Sequence, residues 1–131
     1  MLVEVEKIAT FPRGRVLAQV QTGFGRAAVI WRGDADAGPG AYFVEWTVDE
    51  AITWGRNARP AAGTGPEVRH GGHCVVLRGR LSPVEDGAAV LQVDDANILL
   101  DMTDPLPDGV DGMWVELFVD RDKIALSPIR I

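Results

Sequence analysis

The chain has a single cysteine, Cys74. One thiol cannot close an internal disulfide, so the fold depends on its core and not on covalent staples. No run of about 18 apolar residues occurs, which excludes a transmembrane helix. The first residues, MLVEVEKIATF, alternate apolar and acidic side chains. They lack the basic region and the continuous apolar stretch of a secretory signal, so no export is expected. With the unpaired thiol, these absences point to a reducing, cytoplasmic setting. Lysine and asparagine are scarce as well. Lys7 and Lys123 are the only lysines among 13 basic residues, and Asn57 and Asn97 are the only asparagines. Arginine, alanine and glycine stand in their place, as in chains from GC-rich bacterial genomes.

Positive charge is short overall. Thirteen basic residues face 19 acidic ones, a net charge of −6. Residues 1–73 hold 8 basic and 8 acidic side chains, whereas residues 74–131 hold 5 and 11, so the second half carries the whole surplus. A surface of that sign repels a phosphate backbone and disfavours non-specific nucleic-acid binding.

What is present is ordinary for a folded protein. The 131 residues are 47% apolar and 24% charged, enough for one domain or two very small barrels and incompatible with general disorder. Period-2 alternation dominates. Val3 and Val5 alternate with Glu4 and Glu6. Val16, Ala18 and Val20 share a face, as do Val75, Leu77 and Leu81, and Val115, Leu117 and Val119. Val29–Trp31 and Ile98–Leu100 are short apolar runs of the kind that buried strands have. Roughly nine or ten strands separated by Gly, Pro and Asp turns predict a barrel or sandwich. The best helix candidate is one turn over Asp49–Gly55, with Asp49 as N-cap and Gly55 after the last turn; the same residues also continue the strand that begins at Tyr42.

Residues 57–73, NARPAAGTGPEVRHGGH, have no periodicity and read as a linker. The chain on its two sides looks alike. Val44, Glu45, Val48 and Asp49 match Val115, Glu116, Val119 and Asp120; Ile52 and Trp54 match Ile124 and Leu126; Ala27–Ile30 matches Ala88–Leu91. An acidic Gly/Pro loop precedes the shared strand in both halves. The expected fold is therefore all-β, with two small related barrel-like units of short antiparallel strands, 1–56 and 74–131, and at most one short helix. The second unit runs from Cys74–Leu81 through the Glu85–Gly87 turn, Ala88–Val93, Asn97–Met102, an acidic loop and Trp114–Val119 to Ile124–Leu126. That pattern resembles a minimal OB-fold, a five-stranded Greek-key barrel, with Gly79 where such barrels bend their first strand. The resemblance implies single-stranded nucleic acid or oligosaccharide as ligand classes, but fold alone does not give function.

Chemistry-bearing clusters are few. His70, His73 and Cys74 lie within five residues and are good zinc ligands by type, but no second Cys or His pair completes a finger spacing. They are read as loop, with no metal and no cofactor expected. Asp94, Asp95 and Asn97 read as a turn. Asp104, Asp108 and Asp111 occupy one Pro/Gly loop and lack the spacing of an EF-hand. They are the expected partner-binding residues, an acidic landing face for a basic protein. Arg13, Arg15, Phe24, Arg26, Arg32 and Trp54 interleave arginine with aromatics, as single-strand-binding surfaces do, and form the alternative. The leading expectation is a non-catalytic binding or assembly module with a protein partner or self-association. A single-stranded nucleic-acid binder comes second, and an inhibitor or immunity-type protein that caps a basic partner third.

Overall fold

Alternation places the first four strands. In the computed structural model of the chain, which describes residues 1–129, β1 (Leu2–Thr10) buries Val3 and Val5 and leaves Glu4 and Glu6 exposed. β2 (Val16–Thr22), β3 (Gly25–Trp31) and β4 (Gly40–Val48) bury Ala18 and Val20, Ala27, Val29 and Trp31, and Val44, Trp46 and Val48. β1 pairs antiparallel with both β2 and β4, and β2 with β3. These four strands leave one gap, between β3 and β4.

The chain then leaves this sheet. β5 (Ala58–Pro60), β6 (Glu67–Gly71), β7 (Cys74–Pro83), β8 (Ala88–Val93), β9 (Ala96–Asp101) and β10 (Trp114–Asp120) form a second sheet in the order β5-β10-β7-β8-β9, with β6 also on β7. β7 is central. One of its edges carries β10, and the other carries β6 up to Arg78 and β8 from Arg80 onward. Gly79 sits where the partner changes. A Cβ there would lie 2.3 Å from the Gln92 carbonyl oxygen, so only glycine lets β8 approach so closely.

β11 (Ile124–Pro128) returns to the first sheet. It runs parallel to β3 and antiparallel to β4, and closes the barrel β1-β2-β3-β11-β4. The all-β expectation holds, with a closed five-stranded barrel. Of the two barrel-like units expected, residues 1–56 supply four strands of the closed barrel, β1–β4, and the fifth, β11, comes from the end of the chain.

Three further expectations are corrected. Residues 57–73 are not a bare linker: β5 pairs with β10 and β6 with β7. Residues 49–55 hold no helical turn. Ile52 makes a parallel bridge to Met102, and Trp54 meets Ala58 across a hydrogen-bonded turn at residues 55–57, where Gly55 has a positive φ and the Arg56 N–H donates to the Thr53 carbonyl at 3.0 Å. Helical geometry is limited, among the described residues, to single 3-10 turns at Pro12–Gly14, Glu85–Gly87 and Arg121–Lys123. The matched Ala-Ala-Val runs fall on β3, third in its meander, and on β8, second in its own, so that part of the repeat is coincidental alternation. β11 joins the sheet of residues 1–56 and β5 that of residues 74–131, because backbone pairing assigns strands by edge, not by distance along the chain.

The sheets share one apolar core, which includes Val5, Trp46 and Leu126 from the barrel and Leu77, Leu91 and Leu117 from the second sheet. The Gly25 end of β3 fits against β6: the Val68 N–H donates to the Phe24 carbonyl at 3.2 Å, and a Cβ on Gly25 would fall 1.8 Å from the Val68 oxygen. Among the described residues no helix is long and apolar enough to cross a membrane.

Candidate partner-binding surface

The acidic loop between β9 and β10 is anchored at its far end. The Gly112 N–H donates to the Leu81 carbonyl at 2.7 Å, and the Leu81 N–H to the Met113 carbonyl at 3.0 Å, which extends the β7–β10 ladder into the loop. Val110 is buried and nails the loop to the core. Pro105 and Pro107 stiffen the stretch before it.

So held, the loop forms one wall of a groove of about 360 Å³. Pro83 and Val84 line the opposite side, Met102 and Leu106 contribute apolar surface, and Asp108 and Asp111 add the charge. Val84 is 43% exposed, so the groove offers apolar surface to a partner. Glu85 and Asp86 stand exposed on the turn between two lining residues, Val84 and Gly87. No lysine or arginine lines the groove. Of the three expected partner-binding residues, the groove brings Asp108 and Asp111 together. Asp104 lies outside it: its carboxylate accepts from the Thr103 hydroxyl at 3.4 Å, and Thr103 shares a hydroxyl contact with Thr53 at 2.8 Å.

A second groove, of about 430 Å³, lies between β9 and the outer face of β4. Leu99, Glu45, Thr47 and Asp101 line it, and Ala88 lines both grooves.

The alternative, arginine-rich set does not converge. Arg15 pairs with Asp122, and Arg32 with Asp49, at the end of the barrel where β2 begins and β3 finishes. Phe24 and Arg26 sit at the other end of the β2–β3 hairpin, where Arg26 contacts Glu6 at 3.6 Å and Gln21 at 3.3 Å. A strand of seven residues separates the two ends, about 20 Å of chain. Arg13 lies on the β1–β2 turn, and Trp54 is half-buried against the core. Arg15, Arg26 and Arg32 are paired with acids, Phe24 and Trp54 pack against the core and Arg13 is exposed, so the six do not gather on one face.

His70 and His73 are both exposed on the β6–β7 hairpin, and Cys74 is half-buried beside them. Among the described residues no three His, Cys, Asp or Glu side chains are grouped to hold a metal ion.

The sequence reading missed a charged face on the second sheet. Residues 61–66 join β5 to β6 and pass over the outside of β10 and β7; the Arg78 Nε donates to the Gly65 carbonyl at 2.9 Å beneath them. Arg69 bridges Glu67 at 2.6 Å and Glu116 at 3.0 Å, and Arg78 reaches Glu67 at 3.2 Å. Arg59 stacks on Phe118 at 4.4 Å and Arg80 on Trp114 at 5.1 Å. Every charge here has a partner within the chain, so the face closes on itself and holds the overlying loop. Cross-strand adjacency was the missing signal: Arg59, Glu116, Arg78 and Glu67 are neighbours only through the pairing of β5, β10, β7 and β6.

Comparison of the chain with protein-family models, with curated proteins and with solved structures finds no match.

Proposed function

We propose that this protein is a non-catalytic binding module for a basic protein partner, engaged through the groove between the acidic loop and the Pro83–Ala88 turn. The observation that carries the reading is the composition of that groove: apolar side chains along it, Asp108 and Asp111 among them, and no cation among its lining residues. Apolar surface supplies area to bury, and carboxylates around it attract lysine and arginine and repel phosphate. An inhibitor-type protein that caps a basic partner would use the same face. Binding in a reducing, cytoplasmic setting is consistent with the free thiol of Cys74.

The test uses an octapeptide of alternating lysine and valine as probe. Stopped-flow mixing at several salt concentrations should show an association rate that falls with salt. Changing Asp108 and Asp111 together to Asn should lower that rate by about threefold to tenfold and flatten its salt dependence. Asp104→Asn alone should have little effect, because Asp104 lies outside the groove. A rate that ignores both salt and the double change overturns the reading. Tight binding of a single-stranded oligonucleotide at physiological salt, with none of the peptide, also overturns it.

A further inference from the structure

Side chains that point outward from an antiparallel barrel are ordinarily polar. β1, β4 and the residue after β11 break that pattern side by side. Leu2 stands opposite Phe43, and the Ile129 N–H donates to the Phe43 carbonyl at 2.8 Å, continuing the β4–β11 register by one residue. The three side chains therefore form one row across the outside of the barrel. Leu2 is 53% exposed, Phe43 51% and Ile129 50%. A single exposed apolar residue is ordinary on a surface, whereas a contiguous set marks an interaction site.

The row is the middle of a longer face. Ala41, Phe43, Glu45 and Thr47 are the outward positions of β4, a track of about 20 Å. At one end Ala41 lies in a cross-strand row with Glu4 and Gln21. Its short side chain leaves a shallow depression of about 390 Å³ beside Leu2. At the other end Glu45 and Thr47 line the second groove, together with the exposed Leu99. Glu4 is the charge in the depression, Glu45 and Asp101 are the charges in the groove, and no lysine or arginine lines either. An apolar centre with carboxylates on both sides is the layout of an interface core and its rim.

We propose that the outer face of β4 is a second docking surface for the basic protein partner. An apolar cluster of the partner covers Leu2, Phe43 and Ile129, and lysine or arginine side chains flanking that cluster meet Glu4 and Glu45. Contact is through side chains, since β4 is paired on both edges within the closed barrel. The second groove shares Ala88 with the acidic groove, so the two docking surfaces adjoin. A second copy of this chain is the poorer occupant: it would set Glu4 and Glu45 against the same carboxylates and join two chains of net charge −6. The inference rests on the reading of a basic protein partner and adds a second place where that partner binds.

An NMR titration of the isotope-labelled protein with the lysine–valine octapeptide tests it, because each surface reports through its own amides. The Leu2, Phe43 and Glu45 amides should shift and saturate. Leu2→Thr with Phe43→Thr removes the apolar row and keeps strand-forming residues outside the core. It should weaken binding at this face by about fivefold or more and leave the shifts at Asp108 and Asp111 as they were. Its remaining amide shifts, matched to those of the parent protein, show that it is folded. Glu4→Gln with Glu45→Gln should weaken binding there by about threefold and flatten its salt dependence. Shifts at Asp108 and Asp111 with none on β4 overturn the inference and leave the acidic-groove reading standing. Shifts on β4 alone keep this surface and overturn that reading. Shifts on β4 that survive Leu2→Thr with Phe43→Thr also overturn the inference. So do concentration-dependent shifts at Phe43 without peptide, accompanied by a dimer in sedimentation, which would give the face to a second copy. Binding of a single-stranded oligonucleotide and not of the peptide overturns both.

Discussion

Asn57 is the polar residue on which the path between the two sheets depends. It is only 6% exposed, and its side chain is fully used. The Oδ1 atom accepts from the Thr53 N–H at 2.8 Å, and Nδ2 donates to the Ala51 carbonyl at 3.1 Å and to the Glu50 carboxylate at 3.3 Å. Its own carbonyl accepts from the Phe118 N–H at 2.8 Å. The other oxygen of Glu50 accepts from the Asp120 N–H at 2.9 Å, so one amide organises both the crossing segment and the end of β10. Asn57→Ala leaves the Thr53 N–H and the Ala51 carbonyl without partners. A buried unsatisfied group costs about 1–3 kcal/mol. Thr53 is half-buried and water reaches part of the site, so about 2–4 kcal/mol in all is expected. For a chain of this size that lowers Tm by roughly 8–16 °C. Urea and thermal unfolding should agree. Asn57→Asp keeps the acceptor for Thr53 but sets a carboxylate against Glu50 and the Ala51 carbonyl, so it should destabilise at least as much. A loss below about 0.5 kcal/mol for Asn57→Ala would show that water replaces the amide and that the clip is not structural.

Leu117 is fully buried between Val115 and Val119, and Leu117→Ala should cost about 2–5 kcal/mol in urea unfolding; less than about 1 kcal/mol would mean that this face of β10 is not core. Gly79→Ala would place a Cβ 2.3 Å from the Gln92 oxygen and 2.8 Å from its carbonyl carbon. Both are backbone atoms with no rotamer to yield, so about 3 kcal/mol is expected, at the upper end for overpacking. A silent substitution there would refute the close approach of β8. Residues 1–56 alone should show no cooperative unfolding, because without β11 the edges of β3 and β4 stay open. Joining residues 121–129 to that fragment by a short flexible turn after Glu50 should restore it, since the Asp49 N–H already donates to the Lys123 carbonyl at 2.7 Å. A cooperatively folded 1–56 fragment would sink the argument.

What the sequence made legible is what alternation encodes. Val3, Val5, Val115 and Leu117 all face inward as their period-2 spacing requires; in the run Ile98–Leu100, expected to be buried throughout, Ile98 and Leu100 face inward but Leu99 is 65% exposed, because the strand has one solvated face. Gly79 marks a real discontinuity, because a missing side chain in an apolar strand signals close backbone approach. Alternation says nothing about which edge a strand joins. β4 and β10 carry the same Val-Glu pattern, and each lies antiparallel to the first strand of its own meander, β1 or β7. Either could accept β11 on its other edge. Residues 57–73 looked structureless because β5 has three residues and β6 five, too short to show a period, and because their outward side chains serve the charged face beneath residues 61–66. In the candidate surface, Asp108 and Asp111 were legible as charge in a Pro/Gly loop. The apolar groove beside them was not, since Pro83 and Val84 join it only through the fold.

The crossing of the chain has a consequence for stability. After β4 the chain runs to the second sheet, where Ile52 bridges the end of β9 and β5 pairs with β10. After β10 it runs back, and β11 sits between β3 and β4. Each segment takes, in the other sheet, the place beside a third and a fourth strand that a self-contained unit would fill with its own chain. Neither sheet can be completed before the other has supplied a strand, and both feed one apolar core. Closing β3 against β11 brings together residues nearly a hundred positions apart, Ile30 and Ala125 among them, so loop-closure entropy is met before the barrel gains its last edge. Unfolding should therefore be a single transition: tryptophans of the barrel, Trp31 and Trp46, and Trp114 of the second sheet should report the same midpoint. Separate midpoints would mean that the sheets hold together independently and that the exchange of strands contributes little to their cohesion.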